Sequence, residues 1–191
     1  MAPAFVFGYG SLLRRPAAAG LPVPCRLRDH RRGWGVAMDN TRTIPGYKYY
    51  VDMESGERPE VCVAFLDIRP EPGSTVNGAV FPVTAEVLAS LDRRERNYDR
   101  REVTSQLDAD VGGRVWAYVG SAPGRRRYET GRQAGIAVVS GPYLESVLDD
   151  FRSFGDDMAA EFEATTDRPD VPVVPLKRIA VPDRGRELTL A

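Results

Sequence analysis

At 191 residues and 42% hydrophobic, the chain is long enough to bury its apolar surface in one core, and no apolar run approaches the roughly 20 residues of a membrane-spanning helix. Its 26 Lys and Arg against 27 Asp and Glu give a formal charge of −1 with the two signs interleaved, so neither nucleic acid nor an anionic membrane is an expected partner. Two cysteines, Cys25 and Cys62, lie without metal-ligand spacing beside a single histidine, His30, which excludes a zinc site and fits a cytoplasmic protein with reduced thiols.

The N-terminal residues carry no basic segment ahead of their apolar stretch, so no secretory signal is expected. The first strand is predicted at Phe5–Gly8, where Val6 and Phe7 favour a pleated backbone. It stops at Gly8-Tyr9-Gly10-Ser11, where two glycines permit φ > 0 and close approach to the main chain. Such a turn either is an ordinary tight bend or aims successive N–H groups at a carboxylate, a phosphate or a developing oxyanion. Short strands follow at Arg26–Leu27, Trp34–Met38, Val61–Ile68 and Val76–Val83. His30, inside the basic Arg28–Arg32 stretch, reads as a surface residue, and Trp34 as a core aromatic.

A helix is predicted after Thr84, a good N-cap, with Val87, Leu88 and Leu91 on one stripe. That stripe continues, seven residues beyond Leu88 and four beyond Leu91, to Glu95. An interior carboxylate is costly unless it is paired or functional. The bland reading pairs Glu95 with Arg94 or Arg100 at a frayed helix end; the sharper one gives it chemistry to do. Further strands are predicted at Arg101–Leu107 and Arg114–Val119, joined by a hairpin turn at Asp108–Gly113. Arg125-Arg126-Arg127 beside Gly124 reads as a solvated loop, and Trp116 as a second core aromatic.

A second helix, from about Tyr143, repeats Leu144, Val147, Leu148 and Phe151 and ends at Gly155; a short third one starts at Asp156 and carries Met158 and Phe162 inward. From Thr165 the prolines Pro169, Pro172, Pro175 and Pro182 favour an extended path with one strand at Lys177–Val181. Many short strands and few helices argue for an α+β fold, a small, partly closed sheet with helices packed on it. Residues 1–164 are expected to form the domain, and 165–191 a Pro-rich extension packed on it.

Two of these segments carry a family resemblance. Val6-Phe7-Gly8-Tyr9-Gly10-Ser11-Leu12 resembles the Tyr-Gly-Ser signature of the gamma-glutamylcyclotransferase-like superfamily, its ChaC-like branch nearest. Leu91-Asp92-Arg93-Arg94-Glu95, with Tyr98, Arg100, Glu102 and Val103 beyond it, resembles that family's Leu-Asp-x-x-Glu segment and following strand. Val115–Val119 and Ser140-Gly141-Pro142-Tyr143-Leu144 are similar to its later strand and Tyr-bearing helix start. Where the ChaC branch carries an Arg-Gly-Thr-like element, this chain reads Asp39–Gly46, with Arg42 as its only basic residue, so glutathione specificity is not implied.

The resemblance implies a compact mixed barrel with flanking helices that needs no cofactor and no metal. It implies a reaction in which the α-amine of a small γ-glutamyl amide or peptide attacks its own γ-carbonyl, giving 5-oxoproline and a freed amine or amino acid. Glu95 would be the catalytic base and acid. Tyr9, Gly10, Ser11 and Leu12 would bind the glutamyl group through backbone amides, and Tyr143 would close the pocket. The physical logic agrees, because an α-ammonium cannot attack until a base takes its proton, and one glutamate can return that proton to the departing amine. With nucleophile and carbonyl in one molecule, effective molarities reach about 10⁵–10⁸ M, and no Ser-His pair is required. Ser11 also lacks a nucleophile elbow and a histidine partner. The partner expected is this small substrate, handled by a monomer or a homodimer. The competing reading is a catalytically idle domain of the same fold that binds a small metabolite or serves as an interaction module.

Overall fold

The computed structural model describes residues 3–13 and 21–183; the far end of the expected C-terminal extension, 184–191, lies outside them. In chain order the elements are β1 (Ala4–Gly8), β2 (Val23–Asp39), β3 (Lys48–Asp52), β4 (Cys62–Val83), α1 (Ala85–Arg94), β5 (Tyr98–Glu102) and β6 (Arg114–Gly120). Then come α2 (Ala122–Gln133), β7 (Ala137–Ser140), α3 (Gly141–Arg152), α4 (Asp156–Thr165), β8 (Val173–Val174) and β9 (Leu176–Ala180). The architecture is mixed α+β, as the pattern of elements predicts. A seven-stranded sheet runs β5-β6-β1-β4-β7-β8 with β2 also on β4, and a small second sheet pairs β3 with β9. β1 is antiparallel to β4 but parallel to β6, so the N-terminal strand sits inside the sheet.

Four of the expected short strands are two long ones. β2 and β4 run antiparallel along their length, with register shifts between Arg28 and His30 and between Trp34 and Val36. At the first shift Asp29 adopts a φ of 58°, and its carboxylate accepts the Gly73 N–H at 2.9 Å. Exposed charged residues there hide the strand from any reading of alternating hydrophobicity, while the backbones still pair. His30 is buried rather than exposed, its Nδ1 2.9 Å from the Arg28 carbonyl oxygen.

The Arg125–Arg127 run is helical, not a loop. It lies in α2, whose N-cap Ser121 accepts the Gly124 N–H and whose buried side is Gly124, Tyr128 and Gly131, too small and sparse to make an apolar stripe. Arg125 pairs with the buried Asp67 (Nε–Oδ2 2.8 Å), and Arg127 donates to the Ala37 carbonyl at 2.7 Å and to Asn97 at 3.1 Å. The four-residue β7, buried at every position and parallel to β4, also escapes prediction for want of length. Tyr98–Glu102 is strand, but the predicted stretch to Leu107 turns into a single 3₁₀ turn at Thr104–Gln106.

The main core packs Phe7, Leu66 and Val139 of the sheet against Val147, Phe151 and Phe162 of the last two helices. A second cluster (Val36, Met38, Tyr50, Phe65, Leu176) lies under the small sheet, and a third (Val6, Leu12, Phe81, Leu91, Tyr118) under α1. Trp34 is buried as expected, whereas Trp116 is only half-buried and carries the Arg100 guanidinium 4.8 Å from its ring centroid. No helix among the described residues is long and apolar enough to cross a membrane.

Candidate active site

The sheet order brings the two motifs together. β6 separates β1 from β5, so the turn that leaves β1 and the turn that enters β5 open at neighbouring points of the same sheet. At the first, β1 ends in Tyr9 and a turn closed by the Leu13 N–H on the Gly10 carbonyl at 2.9 Å. Tyr9 is pinned at both ends. Its hydroxyl donates to the Tyr118 carbonyl at 2.5 Å, and its own carbonyl accepts from Arg32 Nη1 at 3.1 Å.

Arg32 is a residue that sequence reasoning passed over. Fully buried, it donates to Asn77 (Oδ1 2.7 Å, backbone O 2.8 Å), Thr166 (2.7 Å) and Thr165 (3.2 Å), and it lies over the rings of Phe162 and Phe151 at 4.2 and 5.0 Å. Burial pulls the guanidinium down to about 9, which leaves it charged at neutral pH. Its fork thereby ties the Tyr9 turn to the end of α4.

At the second turn, Glu95 caps the C-terminus of α1. Its N–H donates to the Leu91 carbonyl at 2.8 Å, and its carbonyl accepts the Tyr98 N–H at 3.0 Å, which reverses the chain into β5. The side chain is 15% exposed, with Oε1 3.3 Å from Arg94 Nε. That contact is an ion pair without hydrogen-bond alignment, because Glu95 Oε1 is buried and has no hydrogen-bond partner, and neither has Arg94 Nη1. Arg100, the other partner weighed for Glu95, pairs instead with Asp92 at 3.0 Å.

Tyr9, Gly10, Ser11, Leu12, Glu95 and Tyr143 all line one recess, of about 300 Å³ including its open mouth. Leu66, Tyr98 and Tyr118 line it as well, and the sequence reading had not assigned them there. Tyr118 lies in the predicted Arg114–Val119 strand and Leu66 in Val61–Ile68, but nothing local in either run points to the recess. Tyr143 enters from the first turn of α3. There the Ser140 cap accepts the Tyr143 N–H at 3.3 Å and donates its own hydroxyl to the Leu176 carbonyl at 2.8 Å. The ring stands edge-on to Phe65 and Trp34, with centroids at 5.3 and 6.1 Å. Tyr98 donates to the Leu66 carbonyl at 2.7 Å and Tyr118 to Asp92 at 2.8 Å, so both phenols are fixed. Arg42 is exposed and is not among the lining residues.

Five tyrosines feel the Glu95 charge. Burial first, and that charge among the further causes, holds Tyr9, Tyr98, Tyr118 and Tyr143 well above the usual phenol range and lifts Tyr47 to about 12. All five stay protonated at neutral pH. A carboxylate with an unspent oxygen therefore faces a wall of neutral phenols, beside a strand-end turn built on glycine. Such a place can take a proton from a bound cation while backbone donors hold an oxygen of the same molecule.

The glycine-tyrosine turn and the largely buried Glu95 thus meet on one α+β sheet, in one recess. The sequence profile described as "Gamma-glutamyl cyclotransferase, AIG2-like" matches residues 6–137, more than half of the chain. The chain belongs to that family, as its two motifs imply. No curated protein matches. Among solved structures, a "Gamma-glutamyl cyclotransferase" superposes with a TM-score of 0.52 at 17% identity, covering 90% of this chain and 93% of that one. The human protein loc79017 gives 0.52 at 19% identity, with 87% and 89% covered. A yeast γ-glutamyl cyclotransferase described as specific to glutathione gives 0.55 at 16%, with 86% and 96% covered. These likenesses extend the fold to most of the chain. None of the comparisons separates the ChaC-like branch from its relatives.

Proposed function

We propose that this protein is a γ-glutamyl cyclotransferase that converts a small γ-glutamyl amide or peptide into 5-oxoproline and a free amine, with Glu95 as base and acid. The observation that carries this reading is the meeting of the unbonded Glu95 Oε1 with the Tyr9–Leu12 turn in one recess. Glu95 takes a proton from the substrate α-ammonium, and the freed amine lone pair attacks the γ-carbonyl carbon, forming the ring C–N bond. Negative charge that gathers on the carbonyl oxygen meets the amides of Gly10, Ser11 and Leu12. As the tetrahedral centre collapses, the bond to the departing nitrogen breaks and Glu95 returns its proton there. The second ammonium proton leaves as the lactam forms and protonates the released amine, so the products balance as 5-oxoproline and an ammonium ion. Tyr98, Tyr118 and Tyr143, neutral phenols on three different elements, shape the wall around Glu95.

The test offers the purified protein glutathione, γ-glutamyl amino acids and γ-glutamylamines while 5-oxoproline is measured. Turnover of at least one class, with E95Q slower by about 10²–10⁴-fold, is the expected result. Silence of the parent across the panel, or undiminished turnover by E95Q, contradicts the proposal. Saturable ligand binding with no turnover would point to an idle metabolite-binding domain instead.

A further inference from the structure

Two atoms of opposite charge are left without hydrogen-bond partners on consecutive residues: Glu95 Oε1 and Arg94 Nη1. The Arg94 side chain is 31% exposed, yet Nη1 itself is buried. Its Nε lies 3.3 Å from Glu95 Oε1, which leaves the terminal nitrogen unspent. Arg94 does not itself line the recess; it borders the site through Glu95, which does. A buried guanidinium donor with nothing to bond is as costly as a buried carboxylate oxygen with nothing to accept, and two such atoms side by side call for a ligand with complementary poles.

An α-amino-acid head group has that pattern. Its ammonium and carboxylate sit on one carbon, a single bond away on each side. If the ammonium meets Glu95, as cyclisation requires, the carboxylate on the same carbon comes within reach of the guanidinium held against Glu95. A planar fork suits a carboxylate better than a point charge does. We propose that Arg94 binds the α-carboxylate of the γ-glutamyl group, so that the site admits only γ-glutamyl compounds with a free α-carboxylate. This proposal rests on the cyclotransferase reading and adds to it the residue that selects the head group. It also accounts for a cation immediately before the base: one pole orients the substrate while the other accepts its proton.

The experiment compares two substrates, γ-glutamyl-p-nitroanilide and its counterpart with the α-carboxylate replaced by a carboxamide, on the wild type, R94M and R94K. The wild type is expected to favour the free acid. R94M should lose about 10–10²-fold in kcat/KM on the free acid, mostly through KM, and much less on the amide, so that the preference collapses; R94K should restore part of it. An equal loss on both substrates, or an unchanged preference in R94M and R94K, would overturn the assignment and leave Arg94 as a support for Glu95 alone. Were R94M to unfold, R94K carries the same comparison with the charge kept and the fork removed. If the wild type cyclises neither substrate, to 5-oxoproline from the acid or to its carboxamide from the amide with release of p-nitroaniline, and nothing from the wider panel, the cyclotransferase reading itself falls and takes the assignment with it. Wild-type turnover with an unaltered preference in the variants sinks the Arg94 role by itself.

Discussion

A carboxylate oxygen that is buried and accepts nothing, as Glu95 Oε1 is, does not stabilise a fold. Replacing Glu95 by the isosteric amide removes that charge without changing the packing. E95Q is therefore expected to melt at the same temperature as the parent or higher, while losing turnover. A melting temperature lower by several degrees would instead make Glu95 a structural partner of Arg94. Gly10 argues from the other side of the recess. A Cβ built there would stand 3.3 Å from Leu66 Cδ1 and 3.8 Å from the Tyr143 hydroxyl, both lining residues. G10A is expected to raise KM about tenfold with little change in stability, since a methyl group occupying a substrate site costs roughly one or two kcal/mol of binding. An unaltered KM would place the substrate elsewhere.

At the scale of elements, what the sequence shows and what it hides follow from where a signal is local. α1 announces itself because Thr84 caps it and Leu88, Leu91 and Glu95 share its stripe; the structure has the Thr84 cap on Val87 and ends the helix at Glu95. The Tyr9–Leu12 turn is legible as glycine after an apolar strand. β2 and β4 each read as two strands because the polar run Arg28–Arg32 fills the middle of one and Pro70, Pro72 and Gly73 the middle of the other, and only long-range pairing shows that the strands run on. α2 was missed because its buried side is made of two glycines and a tyrosine, and its arginines find their partners on distant strands. Asp67, the partner of Arg125, is a lone acid in an apolar run, and nothing local says that the Gly120 N–H (2.6 Å) and a guanidinium will enclose it. R125A leaves that buried carboxylate with a single amide donor, and a loss of about 1.5–3 kcal/mol in urea-unfolding stability is expected. A loss below about 0.5 kcal/mol would mean that the pair behaves as an ordinary surface bridge.

For the molecule as a whole, the recess depends on contacts from most of the chain: the turn after β1 and single residues of β4, β5 and β6 line it, the end of α1 brings the glutamate, α3 brings Tyr143, and Arg32 ties the Tyr9 turn to α4. The tyrosine wall gives this assembly a pH signature. In the unfolded chain these phenols ionise near pH 10, whereas burial and the Glu95 charge keep Tyr47 protonated to about 12 and Tyr9, Tyr98 and Tyr143 well above their usual range. A pKa raised on folding contributes stability that is intact below the unfolded value and is lost as pH rises through the folded one. The urea midpoint should therefore hold up to about pH 10 and fall through pH 12, with most of the tyrosinate absorbance appearing only as the protein unfolds. An equal midpoint at pH 9 and pH 11 would mean that the wall is open to solvent. The most direct test of the central claim is a crystal structure of the protein with 5-oxoproline. The account predicts the lactam ring in the recess, its nitrogen within hydrogen-bond distance of the Glu95 carboxyl and its ring oxygen on the Gly10–Leu12 amides. A product bound elsewhere, or turned with its ring nitrogen away from Glu95, would contradict it.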